Sequence, residues 1–546
     1  MSYAPNPSQQ ISLNDRFHYL SERDKKIVLG SWAKPFAEEI FPLIREDRFA
    51  ILYSDIKASR PNTPVNVIIG ALIIKEVLGL TDDEVVTGLV CDIRMQYALH
   101  TTSFGEQPLS DRTFSRFRRR LYEYEIETGQ DLLKEEILSL SEGISKLMDL
   151  QPHLKRMDSL MVASACKDMT RLEVVYVTVS NLVNAVYRAC GYEYLNGLEH
   201  YLKADDKNRV IYHNKAEDRA AKIQAIIEDG AALIERLGDA GSELPEYDLV
   251  KRMLEDQSVT DDKGRRMAKN SHTIKPDSLQ NPSDPDATYR KKAGKGNIGY
   301  TANVVQTFNN DGAAVITDYS FQQNGHSDSE FCKEAIGNIA ESGEAKPDDK
   351  VTLIGDGAFG GADNDALARA NNIDLVTTAL IGTKPPEVFA NFDIDNEGKQ
   401  VLHCPAGHSP IKQGRNQVTD TYRIVMEKAH CANCPYREQC KVKFQKKSSV
   451  VIVSSNKVER AKAACKISAE DYVQYRNARN AIEGIPSVLR RKYGVDDMPV
   501  FGLLKSKMCF GFKIGAINFK KLVKYTREQC ALLSASLLPR EQCVQI

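Results

Sequence analysis

A chain of 546 residues is too long for one ordinary domain, and its 42% apolar and 27% charged residues describe a globular protein with ample core. No apolar run approaches the roughly 20 residues of a membrane span, and no basic-then-apolar export signal opens the chain, so a cytosolic protein without membrane contact is expected. The formal net charge of −1 excludes a uniformly basic nucleic-acid binder and leaves only local basic patches.

Residues 1–150 read as helical. Pro64 precedes the largely apolar stretch from Val65 to Leu78, which Gly79 ends. Thr81-Asp-Asp-Glu84 then supplies a capping box for the next helix. A further start at Ser110-Asp-Arg-Thr113 leads into Phe114-Ser-Arg-Phe-Arg-Arg-Arg-Leu121, where Arg116, Arg118, Arg119 and Arg120 alternate with aromatic and apolar anchors. Short helices ending in an Arg-rich one are similar to a helix-turn-helix that lays cations such as Arg116 and Arg119 on a DNA backbone. The basic face of an ordinary bundle helix is the other reading.

Residues 153–166 change to strand character, with Asp158 inside the strand. Asp is a poor strand residue, and a buried one needs a partner or a metal; an exposed edge-strand position is the plainer alternative. Helical periodicity returns from 167 to 285, carried by Ile223, Ile226, Ile227, Ala231, Ile234 and Leu237. This block carries no recognisable chemistry and reads as a helical insertion. Two strands, 298–308 and 313–321, flank the hairpin turn Asn309-Asn-Asp-Gly312, and the basic run Tyr289-Arg-Lys-Lys-Ala-Gly-Lys295, including Lys292, precedes them. A helix over 327–340 leads to Lys350-Val-Thr-Leu-Ile-Gly-Asp-Gly-Ala-Phe-Gly360, a short strand ending at Asp356 among glycines. Carboxylates so placed recur as metal ligands because the glycines admit a substrate closely; a turn Asp is the plainer alternative. Residues 372–380 read as one more strand.

The stretch 383–470 interrupts this alternation with Cys404, Cys431, Cys434 and Cys440. Twelve cysteines in a chain without an export signal are expected as reduced thiols, and four clustered ones suit a structural Zn²⁺. Reduced cysteines in a loop-rich insertion are the alternative. Next comes Tyr475 to Lys492. As one helix, it would align Arg476, Arg479, Glu483, Ser487 and Arg490 on one face, with guanidinium groups around one carboxylate. An alternating-charge solvated helix is the bland reading. Beyond it, Lys505, Lys507, Lys513, Lys520, Lys521, Lys524 and Arg527 meet only Glu528 among acids and interleave with apolar residues, which predicts amphipathic helices with a basic face.

Asp158, Asp356 and Glu483, in the order strand, strand, helix, together with Met157-Asp-Ser-Leu-Met-Val162, Gly299-Tyr-Thr-Ala-Asn303, Ile354-Gly-Asp-Gly-Ala-Phe359 and Arg479-x3-Glu483-x6-Arg490, resemble the DDE core of bacterial insertion-sequence transposases. The last motif is similar to that group's Tyr-x2-Arg-x3-Glu-x6-Lys signature, with Arg490 in place of the lysine and the tyrosine, Tyr475, one residue early. Residues 40–125 resemble the InsH-type N-terminal domain, and Cys404-Pro-Ala-Gly407 with Cys431-x2-Cys-Pro435 resembles the cysteine insertion of one branch. The resemblance implies an α/β fold. An RNase H-like mixed-sheet core (151–166, 286–382 and 471–530) would be joined by an all-α N-terminal DNA-binding and dimerisation region (1–150). A helical insertion (167–285), a small zinc-ribbon-like insertion (383–470) and a C-terminal tail (531–546) would complete the chain. It further implies double-stranded DNA, element ends and target, as partner, a homodimer on that DNA, and a place in the bacterial cytosol near the nucleoid. Asp158, Asp356 and Glu483 would hold two Mg²⁺ or Mn²⁺ ions. Arg476, Arg479, Arg490, Arg116, Arg119 and Lys292 would contact DNA. The implied reaction cuts the element's ends and joins the freed 3′-hydroxyl to target DNA. A nuclease that cuts without joining, or a non-catalytic DNA-binding derivative, are the alternatives.

Overall fold

The computed structural model describes residues 1–6, 16–54, 56, 60–101, 109–213, 216–262, 264–292, 294–346, 349–380, 382–395 and 398–536. In chain order, the N-terminal helices include α1 (Val65–Leu78), α2 (Asp82–Cys91), α3 (Asp111–Thr128) and α4 (Leu132–Leu147). The expected punctuation is present: Gly79 closes α1 in the left-handed conformation at φ 72°, and Thr81 with Glu84 forms the capping box of α2. Strand β1 (Leu154–Ala163) leads into the helices α5 (Arg171–Cys190), α6 (Arg219–Leu237) and α7 (Pro245–Gln257). Then come β2 (Thr288–Lys292), β3 (Lys295–Phe308), β4 (Ala314–Gln323), α8 (Asp328–Glu341), β5 (Val351–Gly355), α9 (Ala362–Ala370) and β6 (Ile373–Thr377). A second set of strands, β7 (Lys412–Asn416), β8 (Thr421–Glu427), β9 (Lys443–Phe444) and β10 (Ser448–Ser454), precedes α10 (Ser455–Ser468), α11 (Val473–Ile482), α12 (Gly484–Tyr493) and α13 (Leu503–Ser536).

The chain divides into two units: Met1–Gln151, Ser159–Ser327 and Ile485–Ile546 in one, Pro152–Asp158 and Asp328–Gly484 in the other. In the first, β3 pairs antiparallel with β2 and with β4, and the second half of β1 lies beside β3. Gly299 makes that approach possible. At φ 150° it faces the end of β1 so closely that a Cβ there would lie 2.3 Å from the Val162 carbonyl oxygen. Helix α13 packs against α1, α4 and β4. Its buried Asn518 answers both peptide groups of Ile316, accepting from the N–H at 2.9 Å and donating to the carbonyl at 2.7 Å.

The insertion helices α5 to α7 close over a separate apolar cluster that includes Val179, Leu182, Ile227, Leu233 and Val250. A small antiparallel pair, Ser258–Thr260 with Arg266–Ala268, follows α7.

In the second unit β1, β5 and β6 pair in parallel, with α8 packed on α9 and α9 on β6. Strands β7, β8, β10 and β9 make a four-stranded antiparallel sheet over its own core of Phe389, Phe392, Tyr422, Ile424, Met426 and Val453. Parallel and antiparallel pairs together with many helices make the chain a mixed α/β protein.

One expectation about the C-terminal third is corrected. The basic residues of α13 do not form one solvated face. Lys513 is buried and paired with Glu76 at 2.7 Å, and Lys507 is paired with Glu125 and, at 2.9 Å, with Asp131. Of the stretch read as the tail, 531–536 continues α13, and the rest lies outside the described residues.

Candidate active site

The site is built on β1 and β5. Their parallel register pairs Leu154 with Thr352, Lys155 with Leu353 and Arg156 with Ile354. Continued by two residues, the same offset brings Asp158 level with Asp356, and residues level in a parallel pair project to the same face. Asp158 is 8% exposed, so the exposed alternative fails. Asp356 follows β5 directly and accepts the Ala358 N–H at 2.8 Å, which fixes the turn into the glycine loop.

Helix α11 packs over β5 and supplies the third carboxylate. Arg156, buried in β1, donates through Nη1 to the Ala478 carbonyl at 2.9 Å and so ties strand to helix one residue before Arg479. Burial pulls the Arg156 guanidinium down to about 10. Arg479 then reaches all three acids. Its Nη2 lies 3.4 Å from Asp158 Oδ1 and 3.9 Å from Asp356 Oδ2, and its Nη1 bonds Glu483 Oε1, one helical turn on. Three carboxylates far apart in sequence therefore surround one guanidinium.

The stretch 475–492 is not one helix. Pro486 has no N–H to offer the Ile482 carbonyl, so the ladder breaks at Glu483, whose own N–H bonds Asn480 O at 3.2 Å in a tighter turn. Before the break, Arg479 and Glu483 share a face one turn apart. Arg476 donates to the Ile467 carbonyl at 3.1 Å. Arg490 bonds Asp496 at 3.1 Å and the Met161 carbonyl at 2.6 Å.

The remaining candidate DNA contacts sit as follows. Arg116 and Arg119 are exposed on α3, Arg119 beside Glu123 at 3.5 Å. Arg118 instead grips Asp82 through two bonds of 2.6 and 2.9 Å, and Arg120 lies over the Tyr53 ring. Lys292 is exposed at the tip of the β2–β3 hairpin, opposite Lys295.

Cys404, Cys431, Cys434 and Cys440 line one small cavity of about 20 Å³ beneath β8 and β10. Burial, and then the neighbouring thiols, push Cys440 up to about 11. His408 and His430 stack beside them, ring centroids 3.9 Å apart. Cys404, Cys431, Cys434 and Cys440 are free thiols. Among the described residues, no group of three or more His, Cys, Asp or Glu side chains is arranged to hold a metal ion as it stands. The donor types still suit the two metals: hard oxygens already gathered about a cation for Mg²⁺ or Mn²⁺, four soft sulfurs around one cavity for Zn²⁺.

Reasoning from sequence missed Asp284 and Asp286. Asp284, fully buried, accepts bonds from the Tyr300 and Ser164 hydroxyls and from the Gly502 N–H, and Asp286 accepts from the Leu503 N–H at 2.9 Å. They anchor the N-terminus of α13. The run Asn281-Pro-Ser-Asp-Pro-Asp286 was the available signal, and it reads equally well as a loop.

Two family models match the chain: a "Transposase domain (DUF772)" over residues 29–120 and a "Transposase DDE domain" over residues 403–523. No curated protein and no solved structure gives a match. No described helix is long and apolar enough to cross a membrane. The two models fall in the order the motifs require, and the second contains Glu483 with its Arg479. Together the two matches support a DDE-type insertion-sequence transposase.

Proposed function

We propose that this transposase binds the ends of its insertion sequence, hydrolyses a phosphodiester there and joins the freed 3′-hydroxyl to target DNA. One observation carries the reading: Asp158, Asp356 and Glu483, supplied by two strands and a helix, meet around the single cation of Arg479. Surface salt bridges seldom gather three acids on one partner. A site that must hold divalent metal gathers them for that purpose.

Asp158, Asp356 and Glu483 would hold Mg²⁺ or Mn²⁺, which when bound supplies Lewis-acid stabilisation of the phosphoryl oxygens. The chain's own residues do the positioning. Arg156 fixes α11 on β1 through the Ala478 carbonyl, and the Asp356 turn holds its carboxylate at the strand end. The parallel pairs of β1, β5 and β6 and, separately, the antiparallel pairs of β2, β3 and β4 support an RNase H-like core. Arg116, Arg119 and Lys292, all exposed, would contact phosphate. Arg490, which bonds both Asp496 and the Met161 carbonyl, would contact phosphate by exchanging one of these partners. The four cysteines would hold one structural Zn²⁺. The protein would act as a homodimer on double-stranded DNA in the cytosol.

The test uses a plasmid carrying the DNA on which the gene lies, with its flanks. Purified protein and Mg²⁺ are expected to yield nicks at the element's ends and joined products. Asp158→Asn, Asp356→Asn and Glu483→Gln are each expected to abolish both products and to leave retention of end DNA in a gel within about threefold of wild type. Full cleavage by any one of the three would overturn the assignment.

A further inference from the structure

Arg479 holds a position that a purely phosphate-gripping residue does not need. Its guanidinium lies 3.4 Å from Asp158 and 3.9 Å from Asp356 and is bonded to Glu483, while its side chain is only 12% exposed. The guanidinium is thus shared among three carboxylates. Arg479 therefore stands where a divalent cation would have to come. Its Nε, moreover, is buried with no acceptor, so the three carboxylates do not use up the guanidinium.

We infer that Arg479 is a resident counter-ion that competes with divalent metal for the three carboxylates and gives way when a DNA phosphate offers it another anion. This rests on the metal-dependent reading above and adds a regulation to it. With no DNA at hand, the guanidinium neutralises part of the acid cluster and weakens metal binding. When DNA arrives, phosphate accepts from the guanidinium in a bidentate fork, as it does from arginine generally, and the carboxylates are released to metal. Metal and DNA then strengthen each other's binding by one common factor, as linkage requires. Hydrolytic metal would thus be loaded chiefly on the DNA-bound protein. Glu483 is well suited to such an exchange: it is the most exposed of the three, at 60% of its side chain, and sits where Pro486 has already broken the helix ladder.

The experiment measures Mn²⁺ affinity by calorimetry on the full chain, with and without a short blunt duplex of arbitrary sequence. It compares wild type, Arg479→Gln and Arg479→Lys, after thermal melts have established that each folds. Removing a unit charge a few ångströms from a divalent ion is expected to tighten Mn²⁺ binding by Arg479→Gln about tenfold in the absence of DNA. The duplex is expected to tighten Mn²⁺ binding by wild type and to have little further effect on Arg479→Gln. Arg479→Lys, which keeps the charge but not the fork, is expected near wild type without DNA and to gain less from the duplex. Equal or weaker Mn²⁺ binding by a folded Arg479→Gln, with wild type binding normally, would overturn the counter-ion role and leave the catalytic reading standing. Should Arg479→Gln fail to fold, a wild type that gains nothing from the duplex would overturn it. No Mn²⁺ binding by wild type under any condition would overturn both.

Discussion

Arg118 sits among four arginines on one helix, yet its neighbours decide what it does. Burial raises Asp82, but the two bonds and the charge of Arg118, with Lys75 beside them, outweigh this and bring Asp82 down to about 2. The folded state therefore prefers the ionised carboxylate. The stabilisation is full above the usual carboxylate range and is lost as pH falls toward about 2. Asp82→Asn is expected to lose about 1–2 kcal/mol at neutral pH, with the gap from wild type closing as pH drops below about 4; chemical denaturation across that range checks it. Arg118→Ala should likewise lower stability, whereas Arg116→Ala and Arg119→Ala should leave stability intact. Each of the latter two is expected to lower the slope of log DNA affinity against log salt by about one. This division was not legible in the sequence, because Arg-x-Arg-Arg-Arg reads alike at every position. Lys507 and Lys513 make the same point. Their acids, Glu125 and Glu76, lie 382 and 437 residues away, beyond the reach of any local charge pattern.

At the scale of elements, local chemistry was the most readable. The caps at Gly79, Thr81 and Ser110, the hairpin at Asn309–Gly312 and the strand ending at Asp356 could all be read because each is set by neighbours within a few residues. Helix α11 and α12 were read as one because the charge periodicity continues through the break, while the missing N–H of Pro486 acts on a carbonyl four residues earlier. Gly299 carries a packing constraint that no turn pattern reveals. Gly299→Ala would put a Cβ 2.3 Å from Val162 O and 2.5 Å from Ser164 N, both backbone atoms, so β1 and β3 would have to separate. A loss of about 3 kcal/mol or more in denaturant stability is expected. The cysteine module has its own core, so the proposed Zn²⁺ can be tested alone. Elemental analysis is expected to find one zinc per chain. Chelation should speed hydrogen exchange over 401–453 and leave α5 to α7 unchanged, because zinc binding in such small units is folding energy. Purified protein without zinc, or unchanged exchange after chelation, would remove the metal.

For the molecule as a whole, the order of three carboxylates along the chain carried the functional reading, and the spatial meeting of those carboxylates is its physical core. The strand register could not be read from sequence, since nothing in 154–163 or 351–355 states which residue faces which. Nor could the bridging by Arg479 be foreseen, because it joins residues 321 positions apart. What remains is to locate the metal without relying on turnover. Replacing Mg²⁺ by Fe²⁺ and adding ascorbate with peroxide generates hydroxyl radicals at the bound ion, and these cut the nearby backbone. On the DNA-bound protein, mass spectrometry of the fragments is expected to find cuts clustered around Asp158, Asp356 and Glu483, all three suppressed by excess Mg²⁺. Cuts confined to other segments, or cuts at only one of the three that Mg²⁺ fails to suppress, would contradict a shared metal site.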